Sequence, residues 1–441
     1  MINGSTTLRK TLTVLAFTAA FIGIGPSLAD GQTLSKAISQ KLFADVAWTG
    51  WLGPKRNGWV SGFQPPKAWP IQLKKRWQVK VGSGYGSPLV TGNRVYQHAR
   101  QGENEVVWCF DLKTGNVNWR KSYSAPFKIG GGGQRHGKGP KSCPALAHGK
   151  LFTLSITGRL SAWNTTSGDL LWQRDYSERY RKGTKFKKGH LYWGASTSPL
   201  IDGKKVVVHF GADGRGDLIA LNTKTGQEVW KAGDDGPSYS SPLLVEIQGV
   251  RQIIDWNERS LVGVDSKSGR QLWNFPAPQT QTDQNMPTPV FHKGHVLLGA
   301  ENRGIRSLAP QLVDGVWKVK ERWFQKTVAL DMSSSVINGD LLYGLSHYGR
   351  GRFFCLDTKT GKVLWQGPGR TGRNVTFLAV PGYVVALVND GTLQILAANR
   401  KQFKKVASYR VAERPTWAPP VLLNRGFLIK DNQMLTFWSF K

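Results

Sequence analysis

The run Cys109-Phe110-Asp111-Leu112-Lys113-Thr114-Gly115-Asn116-Val117-Asn118-Trp119 carries three signals at once. Apolar residues lead up to Asp111, Thr114-Gly115 follows, and an indole comes four residues after the glycine. An apolar run of this kind reads as a strand, Asp caps a tight turn through its side chain, and Gly accepts the positive φ that the turn demands. The stretch is therefore a hairpin whose second strand bears the tryptophan.

The same pattern returns along the chain. It reappears as Ala162, Asn164, Ser167, Gly168 and Trp172, and as Ala220, Asn222, Thr225, Gly226 and Trp230. Further copies run through Val264, Asp265, Ser268, Gly269 and Trp273, and through Cys355, Asp357, Thr360, Gly361 and Trp365. Worn copies end at Trp323 and near Tyr409. Upstream of the hairpins lies a second recurring element, a small residue followed by Pro and an apolar strand. Ser87-Pro88, Cys143-Pro144, Ser198-Pro199, Ser241-Pro242, Thr288-Pro289 and Pro419-Pro420 belong to this series, with Ser334 and Thr376 as equivalents. Each unit reads as four short antiparallel strands over roughly 40–55 residues, the blade size of a β-propeller.

Eight such starts predict an all-β, eight-bladed propeller of four-stranded antiparallel blades; seven is the alternative if one unit is misread. The last unit has room for three strands only. Arg76-Trp77-Gln78-Val79 resembles a tryptophan strand without the strands that should precede it. Pairing it with Met434–Phe440 would close the ring and remove a free sheet edge. The tryptophans Trp77, Trp119, Trp172, Trp230, Trp273, Trp323 and Trp365 are expected to fill gaps between blades and to find a partner for each indole N–H. A stacking surface for a sugar or quinone is the other use of such a set.

Ahead of the propeller, Arg9 and Lys10 precede an apolar run from Leu12 to Ile24 and the ending Ser27-Leu28-Ala29. This is the pattern of a cleavable secretory signal over residues 1–29. Residues 30–73 form an N-terminal extension with a short helix expected over Leu34–Phe43, and residues 74–441 form the propeller. The chain is expected to be periplasmic or secreted, and monomeric. Cys109, Cys143 and Cys355 are odd in number and far apart, so each reads as a small buried hydrophobe and not as a disulfide partner.

Composition fits a packed, exported and basic protein. The 441 residues include 40% hydrophobic and 11% aromatic residues, which excludes general disorder. After the first 30 residues no apolar run approaches the roughly 20 needed to cross a membrane. Lys and Arg number 60 against 28 Asp and Glu, a formal charge of +32. Basic residues concentrate in Arg179, Arg181, Lys182, Lys185, Lys187 and Lys188, and in Lys121, Lys128, Arg135, Lys138 and Lys141. Such a field gathers anionic partners. For an exported chain these are an envelope protein or an anionic glycan or lipid component, with nucleic acid a poor candidate.

The repeated small-x-Asp-x-x-Thr-Gly-x-x-x-Trp unit, with its closing N-terminal strand, resembles the quinoprotein (PQQ-binding-like) propeller repeat family over Trp48 to Lys441. That family holds PQQ-dependent alcohol and sugar dehydrogenases as well as non-catalytic propellers of the BamB type. The resemblance implies the fold strongly and an activity weakly, because function resides in sites. This sequence lacks the adjacent cysteines that dehydrogenases of this fold carry over their cofactor, and the cysteine that anchors BamB-type proteins to lipid.

A propeller binds at its central funnel, lined by loops entering each innermost strand. Those loops offer Tyr85, Arg135, His136, Tyr192, Trp193, Tyr239, Asn285, Asp331, Asn374 and Trp417 as ligand-binding candidates. Rings that simply fill the channel are the other reading of these residues. No catalytic constellation emerges. His292-x-x-His295 flanks a hairpin turn, Gly132-x-x-x-x-Gly137-Lys138 lacks the Ser or Thr and the helix of a phosphate loop, and Asp213 with Asp217 offers too few acids for Ca²⁺. The leading expectation is an exported, non-catalytic binding or scaffold protein with no cofactor and no metal. The alternative is a PQQ-dependent dehydrogenase oxidising an alcohol or sugar with Ca²⁺, its cofactor stacked on Trp193 or Trp417.

Overall fold

The computed structural model describes Met1 and residues 47–129, 133–177, 194–212, 215–280 and 284–441. The signal segment, the expected helix at 34–43, the basic run 179–188, Tyr192, Trp193, Gly132 and Asp213 lie outside the described residues. The chain divides at Ala44/Asp45, and the account below concerns the unit from Asp45 to Lys441.

Alternation, turn glycines and capping carboxylates build eight four-stranded antiparallel sheets. In chain order the blades span residues 89–124, 145–175, 200–232, 243–276, 290–325, 336–366 and 375–410. The eighth joins residues 421–439 to the strand Lys74–Lys80, which pairs antiparallel with Met434–Ser439, Trp77 opposite Phe437. The ring is thus closed by the early strand that the sequence singles out. Apart from 3₁₀ turns at Gln134–His136 and at Ser177, no helix occurs among the described residues.

The hairpin chemistry is the same in each full copy. Asp111 Oδ1 accepts the N–H groups of Lys113 and Thr114, both at 2.9 Å, and Asn164, Asn222, Asp265 and Asp357 do the same in their turns. Just before each turn, the register of the two outer strands slips by one residue, for example between Cys109 and Phe110 and between Ala162 and Trp163. Such a bulge sharpens the local twist and brings the indole over the neighbouring blade.

There each indole N–H finds a main-chain carbonyl of the next blade. Trp77 donates to Leu112, Trp119 to Thr165, Trp172 to Thr223, Trp230 to Ser266, Trp323 to Thr358 and Trp365 to Asn399, at 2.9–3.1 Å. Trp273 differs. Its N–H turns to Gln252 Oε1 in its own blade at 2.8 Å, and its ring lies on Gly263, where a Cβ would sit 2.1 Å away. The cause is in the next blade, whose strands Ile305–Val313 and Val316–Gln325 run on as a long hairpin without the capped turn that supplies the carbonyl elsewhere.

The three cysteines are buried and unpaired, which leaves the core to hold the fold. Burial pushes the Cys143 and Cys355 thiols up to about 12. Two buried polar clusters bridge neighbouring blades. His98 Nε2 lies 3.1 Å from Glu105 Oε2, which also accepts from Tyr123 Oη at 2.7 Å, while Glu105 Oε1 accepts the N–H of Ile156 in the next blade. His209 Nδ1 lies 2.7 Å from Asp255 Oδ2 across a blade boundary, and its Nε2 lies 2.8 Å from the Asp235 carbonyl.

Candidate functional site

The eight inner strands surround a channel, and the residues that start them form a belt. The N–H of Cys143 donates to Ser198 Oγ, that of Ser198 to Ser241 Oγ, that of Ser241 to Thr288 Oγ1 and that of Thr288 to Ser334 Oγ, at 3.0–3.4 Å. Ser198, Ser241, Thr288 and Ser334 therefore each satisfy a backbone N–H of the blade before. Sequence reading identified these positions by size; their hydroxyl chemistry is what stitches blade to blade.

The channel is not empty. Residues 48–60, which carry no repeat pattern, enter it and touch blade after blade. Trp48 exchanges both backbone hydrogen bonds with Val90, and the Thr49 carbonyl accepts from Leu146 N–H. Trp51 Nε1 donates to Thr288 Oγ1 at 3.0 Å. Arg56 donates to the carbonyls of Ser198, Pro199 and Pro242 at 2.8–3.1 Å. A Cβ on Gly58 would strike Val336 at 2.5 Å, and Val60 N–H reaches the Ala379 carbonyl at 2.9 Å. Trp48, Leu52, Arg56, Val60 and Phe63 are buried. This segment packs inside the channel from blade to blade, and burial lowers the Arg56 guanidinium to about 10.

Above the segment lies a cavity of about 140 Å³. Trp51 and Leu52 form its floor, and every blade contributes to its wall. Five sequence candidates line it: Tyr85, His136, Tyr239, Asn374 and Trp417. Asn285 and Asp331 miss by one position, since Met286 and Met332 take the lining sites. Asn285 is instead wholly buried, its Nδ2 donating to the carbonyls of Asn257 and Ala277. Arg135 is exposed, with its Nε 3.2 Å from His136 Nε2.

One wall is an aromatic group. Trp417 stacks on Tyr85 with centroids 5.4 Å apart and planes 16° from parallel, and its edge meets His136 at 5.0 Å. Tyr85 Oη and His136 Nδ1 are 3.0 Å apart. Lys141, absent from the candidates read in the sequence, completes the group. Its Nζ donates to the carbonyls of His136 and Gly137 at 2.6 and 2.9 Å and sits 4.1 Å from the Tyr85 ring centre. Burial lowers Lys141 to about 7, and burial with the charges of Lys141 and Arg135 lowers His136 to about 4.

The basic segment 121–141 does not act as one surface. Lys121 is on an outer strand beside Asp169 at 3.1 Å, Lys138 lies 3.3 Å from Glu103, and Lys141 faces the cavity. His292 and His295 flank a turn at Lys293-Gly294 and take separate partners, Asp340 and Ser307. Among the described residues no group of three His, Cys, Asp or Glu side chains converges as a metal site.

PQQ with Ca²⁺ does not fit these residues. Tyr85 occupies a face of Trp417, and among the described residues no carboxylate lines the cavity to hold a Ca²⁺.

Residues 125–367 match the family model described as outer membrane protein assembly factor BamB. The Shewanella oneidensis protein of that name is 22% identical over 285 residues, covering 63% of this chain and 69% of its own. Two solved structures share the fold. BamB from Moraxella catarrhalis superposes with a TM-score of 0.58 at 15% identity, over 83% of this chain and 99% of its own. The quinohemoprotein alcohol dehydrogenase of Comamonas testosteroni gives 0.64 at 14% identity, over 90% and 80%.

Proposed function

The chain belongs to the outer membrane protein assembly factor BamB family, and from that premise we propose that it is a non-catalytic binding or scaffold propeller of the cell envelope. It holds an envelope protein, or an anionic envelope component, at the rim of its funnel. The observation that carries this reading is the chemistry of that rim. Lys141 and Arg135 lie against the aromatic cluster, Lys138, in the same loop, is paired with Glu103, and among the described residues no Asp or Glu lines the cavity beneath. The buried histidine–carboxylate pairs His98–Glu105 and His209–Asp255 lie within and between blades, and none of the four residues lines the cavity. A cationic rim draws an acidic partner into register and weakens as salt rises.

The test compares the wild-type protein with an Arg135→Glu/Lys138→Glu variant. Capture of outer-membrane assembly components from solubilised envelopes should fall in the variant at low salt and converge with wild type at high salt. Equal capture at low salt would reject the rim. Adding PQQ with Ca²⁺ should give no alcohol-dependent dye reduction; turnover would restore the dehydrogenase alternative.

A further inference from the structure

The cavity sets a size and a charge for its occupant, independently of the scaffold reading. Its volume of about 140 Å³ is close to the roughly 150 Å³ of a protein cavity that admits benzene. Trp51, Leu52, Tyr85, Met286, Met332 and Trp417 supply flat rings and polarizable thioethers, surfaces that grip a single ring. Two hydroxyls of the wall, Ser196 Oγ and Thr376 Oγ1, are buried and find no hydrogen-bond partner among the described residues. A buried hydroxyl left in this state costs free energy that a polar guest recovers.

Charge narrows the class. Lys141 in the wall donates to main-chain carbonyls alone, and Arg56 does so beneath the floor, one of its acceptors being the carbonyl of cavity-lining Ser198. Neither has a carboxylate partner among the described residues, and none lines the cavity. Arg56, and Lys141 in its protonated form, are withdrawn from water without a counter-ion, and low dielectric strengthens the positive potential they leave.

We propose that the funnel binds a single-ring aromatic carboxylate of the benzoate class, its ring among the aromatic and thioether walls and its carboxylate toward Lys141. A neutral ring leaves the cations unanswered, and acetate offers nothing to the apolar walls.

The test is calorimetric titration of the full chain with benzoate, benzyl alcohol and acetate. One saturable benzoate site is expected, with both comparators weaker by about tenfold or more, the scale of one charged contact. Met286→Trp should fill the space and abolish binding. Lys141→Met should weaken benzoate by roughly ten- to a hundredfold and leave benzyl alcohol unchanged. Because Lys141 also ties down the loop at His136 and Gly137, Lys141→Arg is the companion variant, and benzoate binding kept there separates lost charge from lost loop. No saturable benzoate site in the wild type, equal binding of benzyl alcohol, or full benzoate binding by Lys141→Met would overturn the proposal.

Discussion

The Cβ that Gly226 lacks would lie 2.7 Å from the indole of Trp172, so the turn glycine of one blade is the surface on which the tryptophan of the preceding blade rests. The same relation joins Gly115 to Trp77, Gly168 to Trp119, Gly269 to Trp230 and Gly361 to Trp323. Each of these glycines answers two demands at once, a positive φ and a flat surface for a ring.

Gly226→Ala is therefore expected to cost about 2–5 kcal/mol, combining a left-handed backbone penalty with overpacking against the indole. Gly203, at φ +56° with nothing near its absent Cβ, supplies the control. Gly203→Ala should carry the backbone part only, roughly 1–2 kcal/mol. Urea midpoints of the two variants measure the difference, and equal shifts would show that the ring contact adds nothing.

Arg56 fastens the channel segment to two blades through three carbonyls. Arg56→Met strands those oxygens in a dry interior, and the expected loss is roughly 1–3 kcal/mol for each carbonyl left without a donor. Arg56→Lys keeps the charge but cannot fork to all three acceptors, so it should fall between methionine and wild type. Chemical denaturation with an unchanged midpoint for Arg56→Met would mean that the segment does not brace the ring.

The buried His209 gives a pH signature. Burial opposes its charged form, but Asp255 and the Asp235 carbonyl outweigh this and raise its pKa above the ordinary value. Its contribution to stability is complete below about 6.5 and is lost as pH rises through the raised folded value. Lys141, lowered to about 7, works in the opposite sense above that pH, because the unfolded chain then holds the extra proton. The two are separated by difference. The stability advantage of wild type over His209→Gln should shrink steadily as pH climbs from the acidic side, and a constant difference across the series would contradict the assignment.

The architecture could be read because its instructions are local. Asp111, Thr114, Gly115 and Trp119 each state their geometry within a single turn, and repetition multiplies the signal. Trp273 shows where such reading stops: its neighbours in sequence match the motif, but its orientation depends on a carbonyl that the following blade does not supply. The channel segment was illegible for a related reason. Trp48, Arg56 and Gly58 follow no period, and most of their partners are backbone atoms or small hydroxyls, which no side-chain pattern announces. In the funnel, loop position located Tyr85, His136 and Trp417, whereas alternation within the loops put Met286 and Met332 where Asn285 and Asp331 had been expected. Lys141 was read as surface charge because its acceptors are carbonyls of its own loop.

With residues 48–60 lodged among its inner strands, the propeller unit carries a floor inside its channel. A ligand settled on this floor sits beneath a lip formed by the loops that bear Tyr85, His136 and Trp417. A second protein resting on that lip would act as a lid, so loading and docking would compete for the same doorway.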